Sequence, residues 1–260
     1  MPRALWSGAS GMRAQQTNVD VIANNIANVN TTGFKRQRVE FQDLFYDIAK
    51  LPGSTAGNQG RTPTGTQIGN GVEISGTPRI FTPGNMELTG VQTNMAIEGS
   101  GFFQVTLPDG NLAYTRAGDF VPDANGDLVT PDGYYLEPRI TIPENTTALS
   151  VGPTGQVVAM VDGQENNLGQ VNLATFRNPA GLIGIGRNLF QESPASGPPQ
   201  QGNPTDIGFG TLRGGALEKS NVEAVTELVN LIVAQRAYEM NTKSIKTTDQ
   251  MMQTANDIVR

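Results

Sequence analysis

Residues 221–260 read NVEAVTELVNLIVAQRAYEMNTKSIKTTDQMMQTANDIVR, a run with neither proline nor glycine. Leu231, Tyr238, Ile245, Met252 and Val259 recur in it every seven residues, and Ala234 and Ala255 follow two of them by three. A spacing of seven filled in at three or four places side chains on one face of a helix. Held this long, it is the pattern of a coiled coil. Asn241 and Thr248 stand where Ala234 and Ala255 stand in other turns. Polar residues in such a seam lower its stability and fix its register and partner number. Ser220-Asn221-Val222-Glu223 matches the capping box. The pattern therefore predicts one helix from there to the C-terminus, on the order of 60 Å long.

The other end of the chain carries a matching stripe. Leu5, Met12, Val19 and Ile26 are seven apart, Ile22 and Val29 form a second row, and Ala9 and Ala23 lie beside them. Pro2 suits a first-turn position, and Asn28-Val29-Asn30-Thr31-Thr32-Gly33 supplies the stop, with Gly33 or an Asn free to turn left-handed. Gly8 and Gly11 inside this helix each cost about 1 kcal/mol relative to Ala. They also permit close helix approach, so packing is expected to stabilise it. Two such helices so far apart in sequence imply that the termini meet and bury their stripes in something larger than one chain. Neither buries its stripe alone, so both are expected to order on assembly.

Composition narrows the function. The 260 residues carry a net charge of −6, no Cys and no His. Disulfides, thiolate chemistry and Cys ligands are excluded, and so are the commonest general base and metal ligand. No segment is basic enough for a nucleic-acid footprint. No apolar run is long enough for a bilayer, and residues 1–8 lack the apolar core of a cleavable signal peptide. With 31 Gly and 16 Pro the chain is rich in turns.

Two stretches of small and turn residues, Pro52 to Thr66 and Ser193 to Asn203, read as linkers or long loops. Between them the signals are for strands. Residues 101–107 and 112–116 flank Pro108-Asp109-Gly110-Asn111, a hairpin pattern. Further turns fall at residues 123–127 and 131–133, and strands are expected at 149–151, 156–161 and 170–176. The expected class is α+β: paired, coiled-coil-like terminal helices with an inserted all-β domain and extended linkers. The division is 1–32 with 218–260 as the helical assembly domain, 33–85 with 192–217 as connecting region including a loop at 51–67, and 86–191 as the β domain.

Motifs for chemistry fall short. Asp123, Asn125 and Asp127 resemble the start of a calcium loop, but Gly126 stands fourth rather than sixth and Tyr134 occupies the twelfth position, so a β-turn is expected. Ser10 in Gly8-Ala9-Ser10-Gly11 lacks the final Gly of a nucleophile elbow and any His. Gly184-Ile185-Gly186 is not continued into a dinucleotide fingerprint. Asp119, Asp123, Asp127 and Asp132 could in principle pair for acid–base work on a glycan. Near turns such carboxylates are usually solvated, and this enzymatic reading stands as the alternative from another class. No cofactor and no metal site is expected.

The residues also match a family. Ala23-Asn24-Asn25-Ile26-Ala27-Asn28-Val29-Asn30-Thr31-Thr32-Gly33-Phe34-Lys35 resembles the N-terminal signature of the flagellar rod, hook and basal-body proteins. Asn221-Val222-Glu223 and Gln235-Arg236-Ala237-Tyr238-Glu239 resemble its C-terminal signature. Gly99-Ser100-Gly101-Phe102-Phe103 and Tyr114-Thr115-Arg116-Ala117-Gly118-Asp119-Phe120 resemble its central motifs. The resemblance implies a structural, non-enzymatic subunit that polymerises helically with its own copies. In that family the terminal helices pair and line an export channel while the β domain faces outward. Neighbouring rod and hook-side proteins, envelope rings and the export apparatus are the implied partners, with no nucleic acid and no membrane insertion. The implied place is the flagellar basal body across the periplasm, reached through the flagellar type III apparatus without signal cleavage. The residues expected to carry assembly are Leu5, Met12, Val19, Ile22, Ile26, Asn24, Asn25 and Asn28 at the start. At the end they are Leu228, Leu231, Gln235, Tyr238, Asn241, Ile245, Met252 and Val259. The resemblance also links an extra stretch after the first helix to stiffness, which places Pro52, Gly53, Gly60 and Pro63 in a rigidity loop.

Overall fold

A computed structural model describes residues 3–53, 55–56, 60–61 and 63–258. Val259, the last position of the expected stripe, lies outside the described residues. The fold is α+β: helices α1 (Arg3–Ala27) and α2 (Ala224–Ile258) bracket a long series of short strands. The chain divides into two compact units. One comprises Met1–Ile26, Gln37–Pro78 and Ala224–Arg260, the other Ala27–Arg36 and Arg79–Glu223. The second unit thus takes in the expected 86–191 β region together with strands on either side of it.

In the first unit the two helices meet. A Cβ on Gly8 would lie 2.8 Å from Cγ1 of Ile245, and one on Gly11 would lie 2.9 Å from Nδ2 of Asn241. The glycines that weaken α1 as an isolated helix thus make room for two side chains of α2. The Thr242 hydroxyl also lies 3.3 Å from the Met12 sulfur. Gly8→Leu is expected to separate α1 from α2 and weaken their pairing by about 1–3 kcal/mol, as overpacking does. Faster proteolysis of α1 in concentrated protein is the readout, and an unchanged digestion rate would contradict the contact. α2 starts three residues later than the capping box suggests. The Ser220 hydroxyl accepts the Val222 amide at 3.2 Å, a local turn that competes with the helix cap.

Three antiparallel strand pairs between residues 40 and 76 form a ribbon. Glu40–Asp43 pairs with Val72–Gly76, Tyr46–Lys50 with Thr66–Gly69, and Thr55–Ala56 with Gly60–Arg61. Within the stretch expected as a linker, Thr55–Ala56 and Gly60–Arg61 thus pair as strands. Its strand Tyr46–Lys50 is exposed at every position, so no alternation of buried and exposed residues marks it in sequence. Pro52 and Gly53 lie in a turn, Gly53 at φ +80°, Gly60 pairs with Ala56, and Pro63 lies in a bend. Ser10 ties the ribbon to α1. Its hydroxyl donates to the Ser7 carbonyl at 3.0 Å and accepts the Val72 amide at 3.3 Å. Arg3 and Asp47 add an exposed ion pair.

The second unit is built on an antiparallel sheet of nine strands. The expected hairpin is at its centre: Phe102–Thr106 pairs with Leu112–Thr115. Tyr135–Glu137 and Leu173–Thr175 flank Phe102–Thr106, and Gln200–Gly202 from the second expected linker pairs with Leu173–Thr175. Thr146–Val151, Gln156–Val161 and Gln164–Gln170 form a separate three-stranded sheet. The main core gathers Met95, Ile97, Phe103, Val105, Phe120, Leu136 and Leu173. A second cluster stacks Phe81, Phe102, Phe176 and Phe190 edge to face. The turn at 123–127 is a β-turn, as its sequence predicts. The Gly126 amide donates to the Asp123 carbonyl at 3.0 Å, and the Asp123 carboxylate accepts the Asn125 and Asp127 amides at 2.8 and 2.9 Å.

Candidate functional site

Two of the sequence signatures meet in one buried ionic cluster, whose anion lies just before the third. Lys35 closes the N-terminal motif, Arg116 lies in the central motif, and Glu218 precedes the C-terminal motif. Strand Ala216–Glu218 pairs with Met86–Leu88, which carries Glu218 inside. Its carboxylate accepts Lys35 Nζ at 2.7 Å, Arg116 Nε at 2.8 Å and the Gly84 amide at 2.9 Å. Lys35 also donates to the Thr82 carbonyl at 2.8 Å. The rest of the Arg116 guanidinium is spent on the carbonyls of Gly99, Gly101 and Ile97 at 2.9, 2.7 and 3.1 Å. All three side chains are 3% exposed or less. Burial alone would raise the Glu218 carboxyl, but Arg116 and Lys35 outweigh it and hold it below the ordinary range. Burial pushes Lys35 down, against the pull of Glu218. Two cations and one anion so deep are affordable only because every polar atom is bonded.

Backbone bonds close the same junction. The Gly33 amide donates to the Glu218 carbonyl at 2.8 Å. Gly33 sits at φ +67°, and a Cβ there would meet the Arg116–Ala117 peptide at 2.6 Å, so only glycine fits. Asn221 accepts the Arg36 amide at 2.8 Å and donates to the carbonyls of Ile80 and Thr82. Asn188 donates to the Thr32 carbonyl at 2.7 Å. Arg116 and Lys35 were visible in sequence only as motif letters, and Glu218 was missed. A lone charge in Ala216-Leu217-Glu218 was its one signal.

The expected assembly residues fall into three groups. Asn25 is buried, exchanging hydrogen bonds with the Gln37 backbone at 2.8 and 2.9 Å. Its amide, expected at a subunit contact, holds α1 to the following segment of the same chain. Ile22 is buried as well, while Leu5, Met12, Val19, Ile26, Asn28, Leu231, Asn241, Ile245 and Met252 are half-buried. Of these, Ile245 and Asn241 lie against the α1 glycines. Asn24, Leu228, Gln235 and Tyr238 are exposed. The first turns of α2 hold a further apolar group that the heptad reading passed over. Val225, Val229, Ile232 and Val233 are 54–70% exposed, on the side away from the buried Glu227 and Ala234.

The carboxylates divide likewise. Asp123 is spent on its own turn, and Asp127 accepts the Thr141 hydroxyl at 2.5 Å. Asp119 and Asp132 share a polar cavity of about 200 Å³ with Thr31, Thr115 and Arg187, and Arg187 lies 3.6 Å from Asp132. Among the described residues no group of acidic side chains is placed to hold a metal. Burial, with some help from Asp132, raises the Asp119 carboxyl. A raised acid destabilises the fold above its folded-state pKa and costs nothing once pH falls below the unfolded value, where both states are protonated. Asp119→Asn is therefore expected to raise Tm at pH 7 and to lose that gain near pH 3. An equal gain at both values would exclude the ionic origin.

A helical pair formed by the two chain ends, with signatures from both ends and the middle locked in a β unit, defines a member of the flagellar rod and hook class. The chain belongs to this family. Residues 5–35 match the flagella basal body rod protein family, 96–159 the flagellar hook protein FlgE/F/G D1 domain, and 213–258 the flagellar basal body rod FlgEFG protein C-terminal. It is similar to the flagellar basal-body rod protein FlgG of Borreliella burgdorferi, 48% identical over the whole of both chains. Similarity to FlgG of Caulobacter vibrioides is 48% over 98% of this chain and 99% of that one. A flagellar hook protein FlgE of Helicobacter mustelae is 43% identical, over 53% of this chain and 30% of its own.

Proposed function

We propose that the chain is the distal rod subunit of the bacterial flagellum, a structural rather than catalytic protein. It polymerises helically into a stiff hollow shaft that transmits torque and encloses the export channel. The carrying observation is the uncovered apolar face of α2 at Val225, Val229, Ile232 and Val233. Burying each such side chain stabilises by about 1.5–3 kcal/mol, and repetition at every subunit step gives a polymer rather than a closed dimer. End-to-end similarity to rod proteins, against partial similarity to a longer hook protein, supports rod over hook. The proximal rod and hook-side proteins, the envelope rings and the export apparatus are the neighbours in this reading, with the shaft crossing the periplasm. The ribbon end, with Pro52, Gly53, Gly60 and Pro63, supplies stiffness by adding contacts that oppose sliding between subunits. Electron microscopy of concentrated purified protein tests this. Straight tubes are expected, curved ones would indicate a hook-like subunit, and their absence at any concentration would refute the polymer.

A further inference from the structure

The ionic junction has an asymmetry that its hydrogen-bond inventory exposes. Arg116 is anchored by three backbone carbonyls besides Glu218. Lys35 has only the Thr82 carbonyl besides Glu218, and that carbonyl also accepts Asn221 at 3.2 Å. Removing Lys35 therefore orphans nothing and leaves a one-to-one Arg116–Glu218 pair. Removing the Glu218 charge leaves two cations facing each other in a closed site. Both cations precede the anion in the chain, so a chain made from its N-terminus holds Lys35 and Arg116 before it holds Glu218.

We infer that Glu218 is a keystone that conditions the docking of residues 27–36: Lys35 and Arg116 repel one another from their shared pocket until strand Ala216–Glu218 places a carboxylate between them. The segment on which Lys35 rides stays undocked in any chain that lacks this strand. Once Glu218 enters, its side chain neutralises the pair while its carbonyl takes the Gly33 amide, so one residue seats the segment by charge and by backbone. The cluster acts as a conformational latch within the second unit, and it stands whether or not the rod reading does.

The test compares three full-length variants by hydrogen exchange at the Gly33 and Arg36 amides, which bond Glu218 and Asn221 only when the segment is docked. Glu218→Gln is expected to speed exchange by about a hundredfold or more, and Lys35→Met by about tenfold or less. The double variant Lys35→Met/Glu218→Gln is expected to exchange at least about tenfold more slowly than Glu218→Gln alone, because the repulsion is gone. A plain structural cross-link would give additive damage instead. Equal damage from the two single variants, or a double variant no better than Glu218→Gln, overturns the inference. Should Glu218→Gln fail to fold, a folded double variant supports the latch and an unfolded one refutes it.

Discussion

Ile232→Asp is expected to yield a protein whose second unit unfolds at the unchanged temperature and which forms no tubes. Ile232 is 57% exposed on α2, so the single chain loses almost nothing by the change. In a polymer that covers this face, the carboxylate would be buried without a partner, at a cost of several kcal/mol per subunit. A loss of about 3 kcal/mol per contact raises the concentration needed for assembly by about a hundredfold. Ile245 gives a less clean test. Its side chain lies on Gly8 of α1, so a charge there breaks the helix pair and the polymer together. Measurement is by sedimentation and electron microscopy for assembly, and calorimetry for the fold. Normal tubes from Ile232→Asp would show that this face stays wet and that another surface carries assembly.

The choice of Ile232 over Ile245 reflects what the sequence could and could not show. Periodicity predicts which residues share a helical face, and it correctly predicts two long terminal helices that meet. Gly8 and Gly11 were legible too, because a helix keeps interior glycines when something must come close. Periodicity cannot tell whether a face is covered by the same chain or by another. Ile245 and Val229 are equally apolar, yet one touches α1 and the other touches solvent. The heptad also drew attention from the first turns of α2, where Val225, Val229, Ile232 and Val233 form a second apolar face opposite Glu227 and Ala234.

In the β region the hairpin at 102–115 was legible because two short apolar runs, buried at nearly every position, flank the turn residues Pro108-Asp109-Gly110-Asn111. The ribbon strands Glu40–Asp43 and Tyr46–Lys50 were not, since they are exposed at every position. The ionic junction was the least legible of all. Its members lie far apart in sequence, and each is an ordinary charged residue until the fold encloses it. The motifs registered Lys35 and Arg116 but not Glu218, and a motif match does not distinguish a subunit contact from an internal bond. Asn25 illustrates this: it belongs to the most specific motif, and its amide is used entirely within its own chain.

Gly118→Ala is the smallest change with the largest expected effect on folding. Gly118 lies in the central motif, and its amide neighbourhood is closed by the Met95 amide, which donates to the Gly118 carbonyl at 2.9 Å. A Cβ at Gly118 would come within 1.6 Å of the Met95 carbonyl oxygen and 2.7 Å of its carbon. Both are backbone atoms of a strand, so no rotamer relieves the clash. Met95 begins strand Met95–Glu98, which pairs with Thr211–Gly214, and its side chain is fully buried in the main core. Moving it away to admit one methyl group would disturb that ladder, the core around Phe103 and the approach of Arg116 two residues upstream. The expected destabilisation exceeds about 4 kcal/mol, an exceptional range whose few causes include overpacking and strain at a fixed backbone. That is a large share of the total stability of a domain, so the second unit should be largely unfolded at 37 °C. Gly110→Ala is the matched control, a glycine at φ +82° with nothing near its missing Cβ. It should cost only the left-handed backbone strain, about 1–2 kcal/mol. Comparable melting temperatures for the two variants would show that strand Met95–Glu98 yields, and that close packing against Met95 is not what requires glycine at 118.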